Sequence, residues 1–206
     1  MTANDRQAVQ QALLDALIGF ILDHGHRDVQ PFKEDLQNWG KDWVDVPPAH
    51  LPAKEWLVRL AASASPDSER MFRLFEQHCD DLRWEQSYTR EDGVVGEDML
   101  RAYGFTEIVG KQGPFLSERV RSGIGVWGPH ITYPIHRHRA EEVYIVLAGS
   151  AVFTVGDRPV REHGRGEVVH VQSMMPHGFR TREDPLVICY LWRNGDLREI
   201  STFDVP

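Results

Sequence analysis

Two histidines, a glutamate and a tyrosine fall at even positions in Tyr133-Pro-Ile-His136-Arg-His138-Arg-Ala-Glu-Glu142-Val-Tyr144-Ile-Val-Leu-Ala-Gly149. Side chains alternate between the two faces of an extended strand, so His136 and His138 point the same way. Glu142 and Tyr144 share that parity. If the intervening turn conserves it, four polar groups converge on one side while Val143, Ile145 and Leu147 pack on the other. Imidazoles and a carboxylate on a rigid wall are the N/O donors of a divalent first-row metal site. A fourth donor must come from another strand, and His177 in Met175-Pro176-His177-Gly178-Phe179 is the best-placed candidate.

Tyr144 sits two residues after Glu142, within reach of such a metal. A phenol titrates near pH ~10, but a divalent cation stabilises the phenolate and lowers that value. A metal-side tyrosine is then competent as a general base; the competing reading is a tyrosine that only packs in the barrel mouth. Tyr133, three residues before His136, is a second hydroxyl for the same site provided that the strand runs unbroken through Pro134. Six of the ten histidines (130, 136, 138, 163, 170 and 177) lie within 48 residues, but the others have plainer readings. His163 falls in a solvated Glu162–Gly166 turn, and His170 lies in a strand as a core or supporting residue. His130 belongs to a loop or the pocket rim, and His24, His26, His50 and His78 are structural or exposed.

The elements that must position these groups divide the chain in two. Val9, Leu13, Leu17, Phe20 and Ile21 recur at helical spacing and stop at Gly25. Residues 31–52, broken by Pro31, Gly40, Pro47, Pro48 and Pro52, predict short helices and loops. A helix carrying Trp56, Leu57, Leu60 and Ala61 follows. Another starts near Ser65-Pro66-Asp67, with Met71, Leu74, Phe75, His78 and Leu82 on its stripe. From about residue 120, frequent glycines separate Val143–Leu147, Ala151–Val155, Val168–Gln172 and Leu186–Trp192, short strands at barrel or jelly-roll spacing. The expected organisation is a helical region over 1–90, a connecting segment over 91–120 able to contribute strands, and a metal-binding β-barrel over 121–206. The fold class is mainly β.

The order HxH, three residues, Glu, six residues, Gly, then a histidine 28 residues on in a Pro-His-Gly context, resembles the cupin motifs. Seven residues rather than five separate Gly128 from His136, and Gln172-Ser-Met174 stands where the second motif has Pro-x-Gly. Together with Tyr190-Leu-Trp192-Arg-Asn-Gly-Asp196-Leu and the helical first half, the motif segment resembles the cupin-type dimethylsulfoniopropionate (DMSP) lyases. That resemblance implies a metal held by His138, Glu142 and His177, with His136 either ligating or lining the pocket. It also implies Tyr144 as metal-associated base and Tyr133 as a second active-site tyrosine. The implied reaction is β-elimination of dimethyl sulfide to leave acrylate. Aromatics suit a sulfonium, which gains roughly 0.5–2 kcal/mol over a ring, and Trp192, Tyr190, Phe179 and Trp127 are candidates. The implied cofactor is one divalent transition metal: Zn, Fe, Mn, Co or Ni.

Composition narrows the alternatives. The 206 residues, 41% of them of hydrophobic type, suffice for a real core, and a net charge of −8 argues against a nucleic-acid partner. No apolar run approaches the ~18 residues of a membrane span, and residues 1–25 lack the pattern of a secretory signal. Two cysteines, Cys79 and Cys189, make no disulfide framework, so the expected compartment is the cytoplasm. The expected partner is a small carboxylate substrate, with a homodimer compatible. Two other functions remain in view: a cupin dioxygenase or isomerase, in which Tyr144 would be superfluous, and a non-catalytic binding cupin. The N-terminal half lacks the basic helix pair of a DNA-binding sensor.

Overall fold

The computed structural model describes residues 1–36, 39, 41–60, 63–198 and 201–203. Helix α1 (Ala3–Asp23) begins on a capping box: the Thr2 hydroxyl accepts from the Asp5 amide, and the Asp5 carboxylate accepts from the Thr2 amide. Leu13, Leu17, Phe20 and Ile21 of its stripe are buried and Val9 is half-buried; the helix stops just before Gly25. α2 (Gln30–Lys33) is a single turn, and a 3₁₀ turn at Pro52–Lys54 runs into α3 (Glu55–Leu60). There Leu57 is buried and Trp56 and Leu60 are half-buried. Gly40 and Ala61 lie outside the described residues. α4 (Glu69–Gln77) buries Met71, Phe72 and Phe75 and ends before His78, so the expected stripe overruns the helix.

The strands are β1 (Trp84–Glu85), then, after α5 (Glu97–Ala102), β2 (Tyr103–Gly110), β3 (Phe115–Leu116), β4 (Val120–Trp127) and β5 (Thr132–Arg137). β6 (Glu141–Val155), β7 (Arg161–Gly164), β8 (Val168–Val171), β9 (His177–Arg180), β10 (Leu186–Arg193) and β11 (Thr202–Phe203) complete them. They pair in the order β1-β2-β4-β10-β6-β9-β5-β11, with β3 on β2 and β7 and β8 on β6. Every pairing is antiparallel except β2 with β3. This is the mainly β fold, a curled and largely antiparallel sheet with a helical N-terminal part, that the sequence leads one to expect. The segment 91–120 supplies α5, β2 and β3.

β6 organises the barrel. The runs Val143–Leu147 and Ala151–Val155, read from sequence as two strands, are one strand of 15 residues. Up to Gly149 it pairs with β10 and β8; beyond it, with β7 and β9. Gly149 makes the change of sheet feasible: it holds φ +74°, and a Cβ there would stand 1.8 Å from the Pro185 carbonyl oxygen. The two faces of β6 go to different cores. Val143, Ile145 and Leu147 join an aliphatic core with Leu13, Leu17, Phe72 and Phe75 of α1 and α4. Tyr144 and Val146 face the barrel interior with Tyr133, Phe153, Phe179, Tyr190 and Trp192. The period-2 pattern thus sorts apolar bulk outward to the helices and chemistry inward.

Candidate metal centre

The inner face of the barrel gathers the groups that parity put on one side. His136 near the end of β5 and His177 at the start of β9 are cross-strand partners, with ring centroids 4.1 Å apart. His138, just past β5, lies 4.9 Å from His177 by the same measure. A ring nitrogen from each of the three histidines falls within 4.8 Å of the other two, and all three side chains are buried. Glu142 sends Oε2 to within 3.0 Å of His138 Nε2 and 3.3 Å of His177 Nε2.

Local backbone fixes how these rings present themselves. His136 Nδ1 lies 2.8 Å from the Pro134 carbonyl oxygen, His138 Nδ1 2.9 Å from that of Ala140, and His177 Nδ1 2.9 Å from that of Met175. A carbonyl only accepts, so each Nδ1 carries a proton and donates, which leaves Nε2 as the atom each ring can offer to a cation. At Nε2, His138 and His177 face a carboxylate, which in its ionised form only accepts. His177 Nε2 is accordingly buried without a hydrogen-bond donor or acceptor in bonding geometry. Three imidazole nitrogens within 4.8 Å of one another, with the Glu142 carboxylate against two of the rings, form a set that a divalent cation completes. Burial pushes the His136 imidazole down to about 3, aided by the neighbouring His177, so it stays neutral. Burial alone would raise the Glu142 carboxyl, but the His138 and His177 rings against its Oε2 hold it well below the ordinary carboxylate range.

Tyr144 follows Glu142 on the same face, its ring 6.1 Å from that of His177. Burial first, and then the charge of Glu142 and a hydrogen bond to it, push the Tyr144 phenol well above 10.0. Tyr133 also reaches the site, its ring 4.5 Å from that of His136, but not as the sequence reading required. Residues three apart on an unbroken strand face opposite ways; a register shift between Tyr133 and His136 turns Tyr133 inward. Gly178, beside His177, lets β9 come this close to β5: a Cβ there would stand 2.7 Å from the Tyr133 carbonyl oxygen.

A cavity of about 240 Å³ opens beside Glu142 and Tyr144. Of the aromatics expected near a sulfonium, Trp127, Tyr190 and Trp192 line it, whereas Phe179 packs behind Tyr133 and Trp127. Two tyrosines escaped the sequence reading. Tyr88, on the loop after β1, hydrogen-bonds the Tyr133 hydroxyl at 3.0 Å, and Tyr103 at the start of β2 stacks on Tyr133. Neither lies near the histidine motif in sequence, so only tertiary packing brings them in.

The remaining histidines stay outside. His130 is exposed and pairs with Glu183, and His170 on β8 bonds Glu141 at 2.8 Å. His163, expected in a solvated turn, is buried in β7 against Phe153, because the strand runs on to Gly164 and the turn is confined to Arg165 and Gly166. The altered second motif also has a visible cost. Met174, where the motif has glycine, holds φ +61° while its amide donates to the His138 carbonyl oxygen at 2.8 Å.

A family model for dimethylsulfoniopropionate lyase matches residues 24–188. The dimethylsulfoniopropionate lyase DddQ of Ruegeria pomeroyi is 32% identical over 124 residues, 60% of this chain and 60% of that protein. The putative dimethylsulfoniopropionate lyase DddL of Cereibacter sphaeroides is 29% identical over 157 residues, 75% of this chain and 64% of that one. The chain thus spans about three-fifths of the length of these curated relatives. The crystal structure of the DMSP lyase DddQ from Ruegeria pomeroyi superposes with a TM-score of 0.82 at 25% identity, covering 97% of this chain and 98% of that one. A chain from the crystal structures of the DMSP lyases RdDddP and RnDddQII gives 0.83 at 28% identity, covering 97% and 100%.

Proposed function

Because the chain belongs to the dimethylsulfoniopropionate lyase family, we propose that it is a metal-dependent carbon–sulfur lyase acting on DMSP or a closely related small carboxylate. The observation that carries this reading is the converging donor set. Three buried imidazoles, each with Nδ1 against a backbone carbonyl, bring ring nitrogens within 4.8 Å of one another, and the Glu142 carboxylate stands against His138 and His177 with Tyr144 two residues on along the same face.

His138, Glu142 and His177 would hold the ion, with His136 as the further nitrogen donor. When bound, a divalent cation supplies Lewis acidity toward a substrate carboxylate and the positive charge that draws the Tyr144 phenol down toward neutrality. Tyr144, as phenolate, takes the proton from the carbon next to the carboxylate. The C–H electron pair becomes the new C=C bond, and the C–S bond breaks with its pair leaving on dimethyl sulfide. Acrylate remains, and the phenol carries the proton. Tyr133, bonded to Tyr88, stacked on Tyr103 and 4.5 Å from the His136 ring, offers a second fixed hydroxyl at the same cavity. The buried aromatic wall excludes water from a substrate held this way. Nitrogen and carboxylate donors suit Zn, Fe, Mn, Co or Ni. No helix among the described residues is long and apolar enough to cross a membrane, and the unpaired Cys79 and Cys189 thiols agree with a reducing cytoplasm.

The test is metal analysis of the protein loaded in turn with each of the five ions, with headspace detection of dimethyl sulfide after DMSP is added. One ion per chain and release of dimethyl sulfide are expected. Full metal occupancy with no dimethyl sulfide from any ion would refute DMSP as substrate.

A further inference from the structure

On the cavity side of the cluster four flat groups form a column. The Arg121 guanidinium carbon lies 5.2 Å from the centre of the Phe105 ring and 5.3 Å from that of Trp192. The Trp192 and His138 rings are 4.1 Å apart at 32°. Strand register imposes the order: Arg121 on β4 stands opposite Trp192 on β10, which stands opposite Glu142 on β6. At the base of the column is Glu107 on β2, a buried carboxylate 2.5 Å from Arg121 Nε. Its other oxygen accepts from the Gln112 and Gly113 amides at 2.8 and 2.9 Å.

A buried ion pair is a poor device for stability, because desolvating both charges cancels most of their attraction. This pair does something an apolar pair cannot: it fixes a planar group, edge-on to Glu107 and face-on to aromatic rings. We propose that Glu107 and Arg121 position the metal-ligating imidazole of His138 through Trp192. The Nδ1 bond to Ala140 sets one axis of that ring; the indole against which it rests sets its tilt, and Arg121 sets the indole. Pairing with Glu107 also neutralises a cation that would otherwise oppose a metal ion nearby. Arg121 is thus a positioning residue, and the inference rests on the metal centre rather than on DMSP as substrate.

The test uses Co²⁺, whose visible bands report ligand geometry, with dissociation constants from chelator competition. The charge-conserving double substitution Glu107→Gln/Arg121→Met should weaken Co²⁺ binding about tenfold, the usual scale for groups that orient a ligand, and shift the bands. In a Trp192→Leu background the same double substitution should cost under about threefold, because the route is already cut. Affinity within about twofold of the wild type with unchanged bands, or an undiminished loss in the Trp192→Leu background, would overturn the proposal. Should the double variant fail to fold, Arg121→Lys keeps the ion pair and removes only the plane, and it must still shift the bands. A wild type that binds no Co²⁺ overturns the metal reading and this inference together; one that binds Co²⁺ but releases no dimethyl sulfide from DMSP, once loaded with each ion, overturns only the substrate.

Discussion

The two faces of β6 live in different solvents. Outward, Val143, Ile145 and Leu147 meet α1 and α4 in a core built largely of aliphatic side chains and phenylalanines. Inward, Glu142 and Tyr144 meet three histidines and a wall of tyrosine and tryptophan. The outer face needs only volume and apolarity, and burying it stabilises the fold at about 25 cal/mol per Å². The inner face carries buried polar groups whose desolvation opposes folding unless each finds a partner. Adjacent residues of one strand thus serve opposite ends: the outer ones supply apolar burial, while the inner ones face an incompletely paired His177.

That contrast can be broken from either side. His177→Ala should abolish metal retention and turnover together, measured by metal analysis and acrylate release, while the metal-free protein unfolds near the wild-type temperature. Ile145→Ala, one residue from Tyr144, should do the reverse. It removes buried methyl groups at a cost of about 2–5 kcal/mol in denaturant titrations, yet turnover per folded, metal-loaded chain should hold. Met174→Gly relieves the left-handed strain beside the site and should stabilise by about 1 kcal/mol, visible as a raised unfolding temperature. Tyr88→Phe deletes one hydroxyl partner of Tyr133. A neutral hydrogen bond is worth about 0.5–1.5 kcal/mol, so a several-fold rise in KM with unchanged metal content is the expected signature.

Much of this contrast is legible in the sequence because it is periodic. Alternation along 142–147 separates the two faces, and the stripe Leu13, Leu17, Phe20 and Ile21 identifies the helix that covers one of them. The same alternation puts Glu142 and Tyr144 on one face of β6, and the strands β5 and β9 bring His136 and His177 beside each other. What escapes is whatever depends on departures from regular geometry or on distant chain segments. The inward turn of Tyr133 comes from a register shift, and the single 15-residue β6 depends on one glycine changing sheets. Tyr88 and the Glu107–Arg121 pair are brought in by tertiary packing, from segments where no local pattern marks them.

The central claim, that the inner face of β6 performs chemistry and does not merely fill the barrel, meets its most direct test at Tyr144. The measurement is acrylate release from Tyr144→Phe, normalised to bound metal and set beside the wild type under saturating DMSP. Loss of a general base predicts a fall of about 10²–10⁴-fold with metal content and unfolding temperature unchanged. Turnover equal to the wild type, with full metal occupancy, would contradict the account.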